Sequence, residues 1–283
     1  MSESSSTPAN STPPGPMPAN RGIFALPNDD KRKIVFVATV LCLVCSILVS
    51  TAAVKLRPLQ EKNAQHARKL EILRVAGLHP PHGNLDAYFF EHVQSKIVDL
   101  QSGEYSKEFD LSTFDERKFA RDPSTSMELQ AEQDIARIKR RTNYARVYLI
   151  PGQQGKITKI VLPVHGYGLW STMYGFLALS ADGRTIAGLT FYEQAETAGL
   201  GAEVANSSWL AQFSGKQALD AQGNPLIRVN KGPVKPNDAN ASHLVDGISG
   251  ATLTSNGVTR LMHFWLGESG FGPYLAKLQK HDG

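Results

Sequence analysis

Apolar and polar positions alternate with different periods along this chain, and each change of period predicts an element. Residues Met1 to Asn28 are mostly Ser, Thr, Pro, Ala, Asn and Gly. So little apolar surface cannot offset the entropy of ordering, which predicts a disordered tail. After Asp29-Asp30-Lys31-Arg32-Lys33, the run Ile34 to Val54 contains no charge, Pro or Gly. As a helix rising about 1.5 Å per residue it spans a hydrocarbon core of about 30 Å, so it predicts a transmembrane helix. Leu70, Leu73 and Ala76, opposite a charged side, predict a helix from Leu59 to Ala76 that leaves the membrane and stops at Gly77. Pro80-Pro81 breaks the chain, and Asn84 caps a second predicted helix carrying Leu85, Tyr88, Phe89, Val93 and Ile97. Charged, irregular sequence from Gln101 to Ser126 precedes a third predicted helix, Leu129 to Arg141.

The period then shortens. Ala145 to Ile150, Ile157 to Val164, Met173 to Ser180 and Thr185 to Tyr192 are short β-rich runs, with Ala181-Asp182-Gly183-Arg184 as a hairpin turn between the last two. From Ser255 onward Val258, Leu261, Met262, Trp265 and Leu266 return to the spacing of one helix face. Helices before and after an antiparallel sheet predict an α+β domain.

Charge adds an orientation. The cluster Lys31 to Lys33 before the apolar run faces the more scattered Lys55, Arg57 and Lys62 after it, which favours a cytoplasmic N-terminus. The predicted organisation is a cytoplasmic tail over residues 1–33, a membrane helix over 34–54 and a periplasmic domain over 55–283 of the bacterial inner membrane. A cleaved signal peptide is the competing reading, because Ser50-Thr51-Ala52-Ala53 offers small residues to a peptidase, but a signal core of about 7 to 15 residues is shorter than this run. Both cysteines, Cys42 and Cys45, fall inside the apolar run, where small residues in a helix contact explain them better than a metal pair does. The outer domain therefore has no disulfide and depends on its core. Lys139-Arg140-Arg141 reads as a solvated helix end, and a net charge of +4 is too mild to specify a partner.

Candidate chemistry concentrates in Asp246-Gly247-Ile248-Ser249-Gly250-Ala251-Thr252-Leu253-Thr254-Ser255, just before the last helical pattern. Thr254 or Ser255 can cap that helix. Its first-turn N–H groups and dipole then suit a phosphate, with Gly247 and Gly250 allowing close approach. This string resembles the flavinylation motif Asp-Gly-x-Ser/Thr-Gly-Ala-Thr, in which a flavin transferase moves FMN from FAD onto the last threonine as a phosphoester. Every fixed position is matched. The resemblance implies covalent FMN on Thr252, with Thr254 the neighbouring alternative and Ser249, Gly250, Ala251 and Leu253 around it. Asp246 has two readings, a tie to loop N–H groups or an aid to the transferase's metal. His243 and His263 read as surface or packing residues.

Two further blocks, His165-Gly166-Tyr167-Gly168-Leu169-Trp170 and Glu193 to Glu203, are rich in glycine. Tyr167, Trp170 and Leu200 can wall a flat ring there, with Glu196 and Thr197 in the same block, while the glycines permit close backbone approach. These blocks, and Gly270-Phe271-Gly272-Pro273-Tyr274-Leu275, resemble the C subunit of the sodium-translocating NADH:quinone reductase, over essentially all of the chain after the tail. Gln194-Ala195 departs from the histidine that family often places there. The G subunit of the ion-pumping ferredoxin:NAD reductase shares the motif and the anchor and is the alternative. A membrane-anchored binding module without redox chemistry is another, but it leaves the motif to chance.

The resemblance implies an electron carrier within a multi-subunit membrane complex that oxidises NADH, reduces ubiquinone and exports sodium. The chain holds no Gly-x-Gly-x-x-Gly or phosphate loop, no His-Glu-x-x-His and no Gly-x-Ser-x-Gly. It is therefore expected to carry electrons without oxidising NADH alone.

Overall fold

A computed structural model describes residues 27–80, 83–235 and 237–281. The predicted N-terminal tail lies almost wholly outside these residues. Contacts divide the chain into two units, Met1–Lys62 and Asn63–Gly283. Helix α1, Lys31–Val75, contributes to both. In the first unit its apolar run is exposed, including Leu41, Ile47 and Val49, and so are Cys42 and Cys45. Among the described residues this is the one helix long and apolar enough to cross a membrane.

The second unit begins with the end of α1. There Gly77, at φ +73°, and the bond from Leu78 N to Leu73 O close the helix as a Schellman turn. Next come α2 (Leu85–His92), β1 (Gln94–Asp99), β2 (Tyr105–Ser106), α3 (Glu116–Arg121), β3 (Ser126–Glu128) and β4 (Arg140–Thr142). Four longer strands follow: β5 (Tyr144–Pro151), β6 (Ile157–Tyr167), β7 (Thr172–Ser180) and β8 (Ile186–Glu193). The chain ends with α4 (Ser207–Ala211), β9 (Arg228–Val229), β10 (Leu244–Val245), α5 (Thr252–Leu266) and α6 (Gly272–His281). One antiparallel sheet, in the order β2-β1-β5-β6-β7-β8, is the scaffold.

Consecutive residues of the central strands are apolar because both faces of the sheet are covered. On one face Leu149, Ile160, Leu162, Leu177 and Leu179 join Val258, Leu261, Met262 and Trp265 of α5. On the other, Ile150, Val161, Phe176 and Ala178 join Ile72, Leu73 and Val75 of α1 and Leu85, Phe89 and Val93 beside α2. Strand alternation sends odd and even positions to opposite sides, so each strand feeds two cores.

Three sequence expectations need correction. Asn84 does cap α2, accepting from Asp86 N and Ala87 N, but the helix stops at His92 and Ile97 lies in β1. The stretch from Gln101 to Ser126 is not wholly irregular, since it holds β2 and α3. No helix forms over Leu129 to Arg141. There Asp134 accepts from Ile138 N at 2.7 Å and Lys139 N at 2.9 Å, an alternative to helical bonding that folds the segment into a turn leading into β4.

Candidate functional site

Helix α5 starts earlier than its apolar pattern suggests. Its N-cap is Ala251, and no side chain caps it. Thr254 and Ser255 are not caps but lie inside the first turn, buried to 1% and 3% exposure. Ser255 Oγ accepts from Ile248 N at 3.3 Å, while Thr254 Oγ1 donates to Glu196 at 2.6 Å. Thr252 and Leu253 face outward, as do Ser249 and Gly250, and Ala251 is buried. Gly250 takes φ +72°, which turns the chain into the helix. Asp246 ties the approach together: its Oδ1 accepts from Val234 N at 2.7 Å, its carbonyl accepts from Trp209 Nε1, and its N–H donates to Gln212. The first of its two readings, a loop tie, accounts for these contacts.

Glu196 is the hub of the site. Its carboxylate accepts from the N–H groups of Leu169, Trp170 and Ser171, at 3.0 to 3.2 Å, as well as from Thr254. Burial alone would raise its pKa. The hydrogen bonds from Thr254, Trp170, Leu169 and Ser171 outweigh burial and hold it below the ordinary value, so the group is a carboxylate at neutral pH. Gln194 Oε1 in turn accepts from Glu196 N, so the residue standing where a histidine was expected shapes this turn.

Two glycines of the blocks, Gly168 and Gly201, make room for these contacts. A Cβ on Gly168 would lie 2.6 Å from Glu196 Oε1, and one on Gly201 would lie 2.7 Å from Thr254 Oγ1. Gly257 lets α5 approach the backbone of Tyr167 and Gly168. At Gly168 and Gly201 the protein's own side chains fill the space beside the backbone, whereas beside Gly199 the space is open.

Apolar side chains face outward beside the exposed Thr252. Trp170 is 65% exposed, Leu253 55% and Leu200 44%, and Leu169, which the sequence did not single out, is exposed beside them. Leu200 packs against the turn at Gly250. Tyr167 donates its hydroxyl to Trp170 O, and Thr197 is exposed with its carbonyl accepting from Leu200 N and Ala202 N. An exposed hydroxyl on an uncapped helix N-terminus suits a phosphate ester, and the uncovered Trp170, Leu200 and Leu253 suit a flat apolar ring. The residues present therefore fit FMN. Among the described residues no group of three or more His, Cys, Asp or Glu could hold a metal ion. His263 bonds Ile227 O and packs against β9, and His243 ends a short turn before β10.

Comparison with known proteins agrees with this geometry. Residues 168–267, which run from the end of the first glycine-rich block through the second and the Thr252 motif, match the FMN-binding domain family. The chain is 47% identical over 252 residues to the C subunit of the Na(+)-translocating NADH-quinone reductase of Vibrio anguillarum, covering 89% of this chain and 96% of that protein. It is 48% identical over 255 residues to the corresponding protein of Pseudomonas aeruginosa, covering 89% and 97%. The chain belongs to this C-subunit family. Solved structures carry the same fold. NqrC of Shewanella oneidensis superposes with a TM-score of 0.70 at 37% identity, over 77% of this chain and 99% of that one. The C subunit of Parabacteroides distasonis gives 0.58 at 27%, over 79% and 96%. Membership of the C-subunit family decides against the G-subunit alternative.

Proposed function

We propose that this chain is the electron-carrying C subunit of a sodium-translocating NADH:ubiquinone reductase and that Thr252 carries FMN as a phosphoester. One observation carries the choice of residue. The Thr252 hydroxyl is exposed at the uncapped start of α5, whereas the Thr254 hydroxyl is buried and committed to Glu196. The backbone of Gly250, Ala251 and Leu253 and the dipole of α5 offset the phosphate's charge. Tyr167, Trp170 and Leu200 shield the apolar ring from water, and Glu196 fixes the segment that bears Trp170. Bound FMN supplies electron transfer, and the tether leaves its redox-active ring chemically untouched while preventing its loss.

The relatives are named for sodium translocation and NADH-quinone reduction. In the same reading this chain relays electrons from NADH toward quinone among partner subunits, with the helix over 34–54 as its anchor, residues 1–33 cytoplasmic and 55–283 periplasmic. A flavin transferase attaches the FMN from FAD. The isolated chain has no dinucleotide fingerprint and takes its electrons from a partner.

Peptide mass spectrometry of the chain made together with the transferase tests the attachment. An FMN-mass adduct should vanish in Thr252→Val and persist in Thr254→Val. The reverse pattern would move the tether to Thr254.

A further inference from the structure

The turn that replaces the expected helix at Leu129 to Arg141 carries cations in an unusual arrangement. Arg137 and Lys139 adopt φ +56° and +65°, two of three non-glycine residues with positive φ among the described residues. Such backbone costs on the order of 1 kcal/mol or more per residue and persists where the surroundings impose it. Here Asp134 spends its carboxylate on the N–H groups of Ile138 and Lys139, and Ile138 packs against the core. Arg140 is held by Ser126 and Glu128, and Arg141 by Ser269 O. The side chains of Arg137 and Lys139 are left exposed, with no carboxylate partner among the described residues.

A third cation sits beside them. Ala136 and Leu261 meet at Gly166, where an added Cβ would lie 2.9 Å from Leu261 and 3.4 Å from Ala136, and Ala136 O also receives Tyr167 N. Arg137 follows Ala136 and Arg260 precedes Leu261, so the two residues stand on neighbouring stretches of backbone, close enough for the charge of Arg137 to act on Arg260. Arg260 forms no ion pair among the described residues, and its Nε is buried without a partner. Burial, and then the charge of Arg137, holds its pKa below the ordinary value. Two like charges with a desolvated donor and no ion-pair partner among the described residues repel until an anion arrives. Ile135, exposed two residues before Arg137, adds uncovered apolar surface.

We propose that Arg137, Lys139 and Arg260 form a docking surface for an acidic segment of a partner polypeptide. Two of the cations are exposed, with the exposed Ile135 close by in the same turn, which is the make-up of a protein interface rather than of an enclosed ion pocket. Arg260 stands two turns along α5 from Thr252, about 12 Å at 1.5 Å per residue, so the acidic partner docks next to the proposed flavin site. The surface rests on the proposed function only in taking that partner from the same membrane complex.

The test uses the whole complex from native membranes, with a photo-crosslinking amino acid at position 137 and, separately, an Arg137→Glu, Lys139→Glu double variant and Arg260→Glu. The crosslink should join residue 137 to an Asp- or Glu-rich peptide of another polypeptide. Charge reversal should weaken retention of this chain on the order of tenfold in low salt, with less effect in high salt, and lysine substitutions in the crosslinked peptide should restore it. Crosslinks confined to this chain, to lipid or to a peptide without carboxylates would overturn the proposal. So would unchanged assembly in both variants. Stabilisation of the wild type by inorganic phosphate, lost in the variants while assembly stays normal, would replace the acidic partner with a small anion. Ultraviolet fluorescence of the denatured chain reads flavin attachment in the same samples. A dark chain that still docks would sink the flavin reading alone.

Discussion

Removing the Glu196 carboxylate is the most direct perturbation of the site, because one side chain holds the Leu169 to Ser171 segment against the first turn of α5. Glu196→Ala strips the acceptor from four donors within 3.2 Å and from the Ser171 hydroxyl at 3.4 Å, a long contact that adds little. The three N–H groups lie in a loop that can turn to water, so each counts for about 0.5 kcal/mol, while the buried Thr254 hydroxyl counts for about 1.5 to 2 kcal/mol. The total is about 3 kcal/mol, or a fall in Tm of about 6 to 12 °C for a domain of this size. Glu196→Gln keeps the volume and the one oxygen that the three N–H groups share, loses the charge assistance, and leaves the Thr254 hydroxyl to turn and accept from the new amide, about 1 kcal/mol and about 2 to 4 °C.

The pH dependence has a fixed sign. A carboxylate whose folded pKa lies below its ordinary 4.5 contributes stability that is fully present above that value and is lost as pH falls through the folded pKa. The advantage of wild type over Glu196→Gln should therefore be constant at neutral pH and shrink below about pH 4.5. Thermal unfolding of the full chain in detergent, followed by tryptophan fluorescence at pH 7 and stepwise down to pH 3, measures both effects. A Glu196→Ala protein as stable as wild type, or a gap from Gln that widens on acidification, would refute the reasoning.

Three other outcomes follow from the same contacts. Asp246→Asn keeps an acceptor for Val234 N, so flavin attachment should persist, whereas Asp246→Ala should cost about 1 kcal/mol; loss of attachment in a normally stable Asn variant would show that the transferase needs the charge. Gly257→Ala gains about 1 kcal/mol of helix propensity, but its Cβ would lie 2.8 Å from Tyr167 O. Overpacking against backbone costs about 1 to 3 kcal/mol, so Tm should fall, and a rise would mean that α5 does not bear on that strand end. A reporter fused after Gly283 should be active outside the cytoplasm only, and activity confined to the cytoplasm would invert the proposed topology.

The long strands were legible as β-rich runs, largely apolar because both sheet faces are covered, and α5 because Val258, Leu261, Met262 and Trp265 share one face against the sheet. The turn at Arg137 was not. Leu129 and Ala136 mimic a helical repeat, and only the structure shows Asp134 competing for the N–H groups that a helix would use. The attachment candidate was legible because the motif is contiguous, but its neighbours depend on segments far apart in sequence. Thr254 and Glu196 are 58 positions apart, and neither residue type announces the other.

That distance also explains why the sequence did not show what two of the block glycines meet. A glycine beside aromatic residues signals close approach without saying what approaches. At Gly168 and Gly201 the approaching groups are the Glu196 carboxylate and the Thr254 hydroxyl, so the inner side of these loops is closed by the protein itself. Room for the proposed flavin ring then remains on the outer side, where Trp170, Leu200 and Leu253 lack apolar cover. A carboxylate buried beneath that surface disfavours added negative charge close to it. On this reasoning Glu196 both positions Trp170 and biases the proposed flavin toward its less negative forms, a second effect that Glu196→Gln would remove with little change in packing.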